Sequence, residues 1–217
     1  MIKHISGAAW AGVLLASVLL LGIGVPAHAI TFGPNCGSGN CFGSIYTLTA
    51  ALFSSTATTE TYNVTLSVNT AGYNGSGTGL DAVAFKTVSN TTDILSASLG
   101  SQPGTFGSTI IGGLSANGCS AGSAGFVCTQ SSNLGGVTVP NGTYTFGFSQ
   151  TINSGQLLNE NEWSIKALYV DSAGKQAGLT SVSGAVPIPE TLLLFGVGFS
   201  LFVLWHQRSR RWMTLQS

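Results

Sequence analysis

The sequence predicts an all-β protein, an antiparallel β-sandwich ectodomain carried between an N-terminal signal-peptide helix and a C-terminal transmembrane helix. Three observations predict the sandwich. Thr61–Asn69, TYNVTLSVN, alternates strictly, with Tyr62, Val64, Leu66 and Val68 on one side and polar residues on the other. Period two over nine residues describes a half-buried strand. No stretch of comparable strength with a 3.6-residue period lies between the termini, and turn signals separate the strand candidates: Asn74-Gly75, Asn141-Gly142 and DSAGK at Asp171–Lys175. Short strands, frequent turns and no intervening helices are the pattern of a sandwich.

In chain order, residues 1–29 read as a secretory signal peptide. Lys3 supplies a positive start, Ala8 to Val25 carries no charge, and Ala27-His28-Ala29 is a small-x-small site for signal peptidase. Cleavage is expected after Ala29. An uncleaved membrane anchor is the other reading. Residues 30–185, roughly 155 of them, are enough for one domain with a real core.

Within that domain GTYTFGFSQTI repeats the alternation with Tyr144, Phe146 and Phe148, and WSIKALYV does so with Trp163, Ile165, Ala167 and Tyr169. Weaker strand signals lie at Ile45–Phe53, Leu80–Val88, Ile94–Leu99, Phe126–Thr129 and Leu179–Val182. Tyr144, entering a strand after Pro-Asn-Gly, reads as a tyrosine corner or as a plain core aromatic. Gly100–Gly125 reads as a long glycine-rich surface loop with an edge strand through Thr109–Ile111.

Four cysteines, Cys36, Cys41, Cys119 and Cys128, fall in the exported part, and an even count there predicts two disulfides. Of three pairings the local ones, Cys36–Cys41 and Cys119–Cys128, are favoured, because each staples a Gly/Ser-rich loop. Zinc is the competing reading. It is weakened by the lack of C-x-x-C spacing and of a nearby histidine.

Charge is scarce: the whole chain has seven Lys and Arg and seven Asp and Glu. The exported domain has Glu60, Asp81, Asp93, Glu160, Glu162 and Asp171 against Lys86, Lys166 and Lys175, a net of 3 − 6 = −3. A mildly acidic domain without arginine is a poor partner for nucleic acid. The histidines, His4, His28 and His206, all lie in the terminal segments. Histidine-based triads and histidine metal sites are therefore not expected in the domain. Glu160 and Glu162 share a side if extended, but NENEW reads better as a solvated loop. The domain is read as non-enzymatic, with no cofactor and no metal. For glycan contact, Tyr73 in AGYNGSG is the candidate exposed ring because it sits on a turn; packing within its own loop is the other reading. N-x-S/T sequons occur at Asn63, Asn74, Asn90 and Asn141.

The tail runs VPIPETLLLFGVGFSLFVLWHQRSRRW, residues 186–212. Its apolar run Leu192–Trp205 makes about 21 Å of helix at 1.5 Å per residue. That is short of a ~30 Å bilayer core, so the membrane helix is taken over about 191–205. Arg208, Arg210 and Arg211 follow and hold the C-terminus in the cytoplasm. Lys3 stays on the same side, so the domain between lies outside.

This arrangement resembles the PEP-CTERM protein-sorting signal, a Pro-Glu-Pro type motif followed by a short membrane helix and an arginine cluster. The motif here is VPIPET: Val186, Pro187, Pro189 and Glu190, with Thr191 where the family usually has its second proline. LDAVAFK, GGLSANGCS and IKALYVD are also similar in character to the Ser/Thr/Gly-rich β domains of such proteins. The resemblance implies export in a Gram-negative bacterium, recognition by an exosortase, and association with exopolysaccharide or biofilm. It further implies an inner-membrane-anchored precursor that ends in the periplasm, on the cell surface or in the extracellular matrix. Two roles follow for the ectodomain: a matrix-associated surface protein, or a carbohydrate-binding module for one particular glycan.

Overall fold

The computed structural model describes residues 27–36, 40–107, 109–133 and 135–184. Most of the expected signal-peptide helix, Val186, Pro187, Pro189 and Glu190 of the sorting motif, the transmembrane helix, and Arg208, Arg210 and Arg211 lie outside these residues.

The described chain is all-β, with twelve strands in two antiparallel sheets. The five-stranded sheet has the order β1-β2-β3-β10-β5. It comprises β1 (Ala27–Phe32), β2 (Ile45–Ser55), β3 (Thr59–Asn69), β5 (Ile94–Ser101) and β10 (Thr143–Asn153). The second sheet runs β12-β11-β4-β8-β6-β7, with β9 also on β4. Its strands are β4 (Gly79–Lys86), β6 (Ile110–Ser115), β7 (Gly118–Ala121), β8 (Phe126–Gln130), β9 (Val137–Thr138), β11 (Ser164–Val170) and β12 (Gln176–Ser183). Apart from two 3₁₀ turns, Thr91–Asp93 and Glu160–Glu162, no helix occurs among the described residues.

The two sheets pack because their inner faces are apolar at every second position. Leu48, Val64, Leu66, Phe146 and Phe148 come from the first sheet, and Leu80, Val83, Phe85, Ile165 and Tyr169 from the second. Edge-on aromatic pairs fill the gap, Phe85 against Phe148 at 4.9 Å and Phe106 against Phe146 at 4.8 Å between centroids. The inward sets expected on the Thr61, Thr143 and Ser164 strands are all buried, Tyr144 being only partly so. Trp163 is buried too, just ahead of β11, with its indole N–H donated to the Leu158 carbonyl at 3.0 Å.

Gly100–Gly125 is not a long loop: it contains the whole β6–β7 hairpin, turned at Ala116-Asn117 with Gly118 at φ +95°. The strand expected through Thr109–Ile111 is the start of β6, which lies between β8 and β7 rather than at an edge. That hairpin folds over the outer side of the second sheet. Leu114 and Cys119 meet Ala82, Ala84, Phe126, Cys128, Leu168 and Val170 in a second, smaller apolar cluster. This is why β4 is buried on both faces and why ALYV is apolar at consecutive positions rather than alternating. Lys166 closes the cluster, with Nζ 4.7 Å from the Phe126 ring centre and a 3.4 Å hydrogen bond to the Leu114 carbonyl.

The disulfides are Cys36–Cys41 and Cys119–Cys128, and no described cysteine is free. The zinc reading therefore falls, since both pairs of sulfurs are used in bonds to each other. Cys119–Cys128 ties the hairpin to β8. Tyr144 donates its hydroxyl proton to the Thr138 carbonyl six residues upstream, the bonding pattern of a tyrosine corner.

Candidate functional site

The pairing registers assemble one surface that no single strand carries. Thr31, Thr47, Ser67 and Thr145 stand in one rung across β1, β2, β3 and β10. Two residues along, Ala29, Thr49, Thr65 and Gly147 form the next. Ala51, Asn63, Ser149 and Ser98 follow, then Ser54, Thr61, Thr151 and Ser96. Rungs on one face repeat about every 6.6–6.8 Å and strands about every 4.8 Å. Every one of these residues is exposed or half-buried, and among the described residues no Asp, Glu, Lys or Arg shares the face. Some hydroxyls bond to each other across strands, Thr31 to Thr47 at 3.2 Å and Thr61 to Thr151 at 3.0 Å. The rest of their hydrogen-bonding capacity faces outward.

Beside this face stands Phe53, 69 % exposed. The register shift between Leu52 and Ser54 leaves it without a partner on β3, and a bulge of this kind re-aims a side chain. Among the described residues Phe53, rather than Tyr73, is the large exposed aromatic. The exposed ring expected at Tyr73 is corrected: Tyr73 is 8 % exposed and stacks on Tyr169 at 4.4 Å. Its turn closes over it. The Gly77 amide donates to the Tyr73 hydroxyl at 3.0 Å, and a Cβ at Gly75 would meet that oxygen at 2.4 Å. The small residues of AGYNGSG that signalled a turn are what allow the ring to be covered.

A second feature lies on the opposite sheet. Asp81 interrupts β4 on both edges. Toward β11, Ala82 pairs Leu168 while Leu80 pairs Tyr169, so Asp81 is the extra residue of a bulge. On the other edge β8 ends opposite Ala82 and β9 begins opposite Leu80. The Asp81 side chain lines a cleft of about 440 Å³ whose walls include Asn117 of the hairpin turn and Lys175 and Gln176 of the β11–β12 turn. Its Oδ2 accepts from Gln130 Nε2 at 2.9 Å, and Gln130 Oε1 in turn accepts the Cys119 amide at 3.1 Å. Burial pushes the Asp81 carboxyl above its ordinary range, partly offset by the Gln130 hydrogen bond.

Glu160 and Glu162 occupy a 3₁₀ turn, not a strand. Glu160 meets the ring Nδ1 of His28 on β1, and this hydrogen bond holds the Glu160 carboxyl below its ordinary range. The partners are 132 residues apart, so no local signal announced the contact. His28 precedes the expected cleavage point, whereas both buried residues of β1, Ile30 and Phe32, follow it. All four sequon asparagines, Asn63, Asn74, Asn90 and Asn141, are exposed. Among the described residues no group of three or more His, Cys, Asp or Glu comes together as a metal site.

Comparison with protein-family models, with characterised proteins and with solved structures returned no match to this chain. The class it belongs to is therefore defined by its own architecture, a disulfide-stapled all-β sandwich with one uncharged hydroxyl face.

Proposed function

We propose that this protein is an exported, non-enzymatic, matrix-associated protein that contacts exopolysaccharide through the hydroxyl face of its five-stranded sheet. The observation that carries the reading is the absence of Asp, Glu, Lys and Arg from that face among the described residues of five strands. A neutral polyhydroxyl polymer must exchange its water for protein hydroxyls. Such an exchange is nearly balanced, each hydrogen bond contributing about 0.5–1.5 kcal/mol net. Charged groups would have to be desolvated at much greater cost. Many weak, repeated bonds suit a repeating polymer, and Phe53 adds an exposed ring on which a sugar face packs. The two disulfides are compatible with an oxidising compartment. The tail sequence supports membrane anchoring until an exosortase acts, with signal peptidase acting at the other end.

The test is depletion of the full chain, in detergent, from solution by an insoluble neutral β-glucan and by an anionic alginate gel. The neutral polymer is expected to retain the protein. Phe53→Ala combined with Thr65→Lys and Ser149→Lys is expected to weaken retention by about tenfold or more, equivalent to ~1.4 kcal/mol. Equal retention of wild type and variant, or retention by alginate alone, rejects the hydroxyl face as the contact surface.

A further inference from the structure

The Asp81 cleft is built differently from the flat face and asks for a different ligand. Its floor is a carboxylate on a residue only 8 % exposed. A bulge on one edge and a gap between two strands on the other turn this residue out of the β4 ladder. Its partner is fixed at both ends. Gln130 accepts the Cys119 amide with Oε1, which leaves its NH₂ group to face Asp81. The Cys119–Cys128 disulfide fastens the strand that carries that amide to the strand that ends in Gln130. The donor and acceptor positions are thus set before any ligand arrives, which lowers the ordering cost of binding.

The chemistry narrows the ligand. A carboxylate offers about four acceptor positions, and Gln130 is its only side-chain donor among the described residues. No described cation lies within ion-pair distance of it. A single carboxylate without further acidic or histidine ligands is a poor metal site. Lys175 on the rim opposes a second positive charge. What remains is a neutral ligand rich in O–H donors that also accepts hydrogen bonds from Lys175 and from the Asn117 and Gln176 amides. Leu168 and Val170, each 2 % exposed, back the cleft wall and belong to the small apolar cluster beneath the hairpin. At about 440 Å³ the cleft is in the lower part of the ~300–1,000 Å³ range of small-ligand sites. It therefore suits a short saccharide and not a polymer length.

We propose that this cleft binds a single neutral sugar unit, with two adjacent hydroxyls donating to the Asp81 carboxylate. This rests on the polysaccharide association proposed above and deepens it: the flat face holds the bulk polymer, while the cleft selects one unit of it.

The experiment is titration calorimetry of the full chain in detergent. The probes are the methyl glycosides of glucose, galactose and mannose, N-acetylglucosamine, glucosamine and calcium chloride. At least one neutral probe is expected to bind saturably. Asp81→Asn keeps an oxygen for Gln130 but removes the charge, and is expected to weaken that binding about tenfold or more. Asn117→Trp, an exposed position on the rim, is expected to block it while leaving the carboxylate intact. The Phe53 and Thr65 variants are expected to bind the small probe normally, so failure of the face and failure of the cleft are told apart. No saturable neutral probe, or equal binding by wild type and both cleft variants, overturns the site. Saturable binding of glucosamine or calcium alone makes it a cation site and overturns the sugar assignment.

Discussion

The hydroxyls of Tyr46 and Tyr169 lie 2.7 Å apart in the middle of the sandwich, one ring from each sheet. Tyr169 donates its own proton to Ser44 at 3.0 Å, so its oxygen takes the proton of Tyr46. Tyr46 then accepts from Thr180 at 3.1 Å. The relay Thr180 to Tyr46 to Tyr169 to Ser44 joins the sheets through polar groups that are all fully buried. Burial raises both phenol pKa values, so both stay neutral.

Removing one hydroxyl leaves its neighbours unsatisfied in a fully buried site. Tyr46→Phe and Tyr169→Phe are each expected to cost about 1–3 kcal/mol in urea unfolding. The double variant is expected to cost less than the sum, because the two share one bond. Strict additivity would mean that the hydroxyls do not act together.

The Cys119–Cys128 bridge should matter locally. Replacing both cysteines by serine is expected to cost about 2–3 kcal/mol on the chain-entropy account. Amide exchange at Gly113–Cys119 should rise, with β3 and β10 unchanged. Thiol labelling of the unreduced protein should give no signal, and labelling of two cysteines would remove the basis of this prediction.

Asp81 sets a pH dependence of a definite sign. Its folded pKa is above the ordinary 3.8, so the folded state holds the proton more tightly than the unfolded one. The resulting cost is absent below the unfolded value. It appears as pH rises through 3.8 toward the raised folded value, and is complete above it. Asp81→Asn should therefore gain stability relative to wild type between about pH 3 and pH 7. A relative loss over that interval contradicts the assignment of burial as the dominant cause.

The tail predictions separate two jobs. Pro189 and Glu190 belong to a segment that resists helix, since proline lacks an N–H and restricts the residue before it. It is expected to stay extended outside the bilayer, available to a protease. Glu190→Ala should leave full-length protein in the membrane of an exosortase-containing host. Changing Arg208, Arg210 and Arg211 to serine should misplace or release the unprocessed chain. An arginine costs about 2.5–3.5 kcal/mol at a bilayer centre, so the three together are expected to fix orientation. Normal processing of Glu190→Ala would leave a plain membrane anchor as the account of the tail.

Much of the fold was legible because strand periodicity is local. TYNVTLSVN and GTYTFGFSQTI each state which of their residues face inward, and Tyr62, Val64, Leu66, Phe146 and Phe148 do so. Of the hairpin β6–β7 only Ile110 and Ile111 fell within an expected strand, although Asn117-Gly118 is a turn dipeptide, since glycine and serine around it diluted the alternation. The consecutive apolar residues of ALYV hinted at burial on both faces, but not at what covered the second one.

The sequence by itself determined the all-β class, the inward parity of its stronger strands and the cystine count. Each depends on residues close together in the chain. The tertiary structure alone decided the burial of Tyr73, the exposure of Phe53, the contact of His28 with Glu160 and the Asp81 cleft. It also decided that threonines from strands more than a hundred residues apart stand in one rung, Thr31 with Thr145. Periodicity says which side of a strand is wet. Which strands become neighbours, and in what register, is set by long-range pairing and bulges, and surfaces of this kind exist only once that pairing is made.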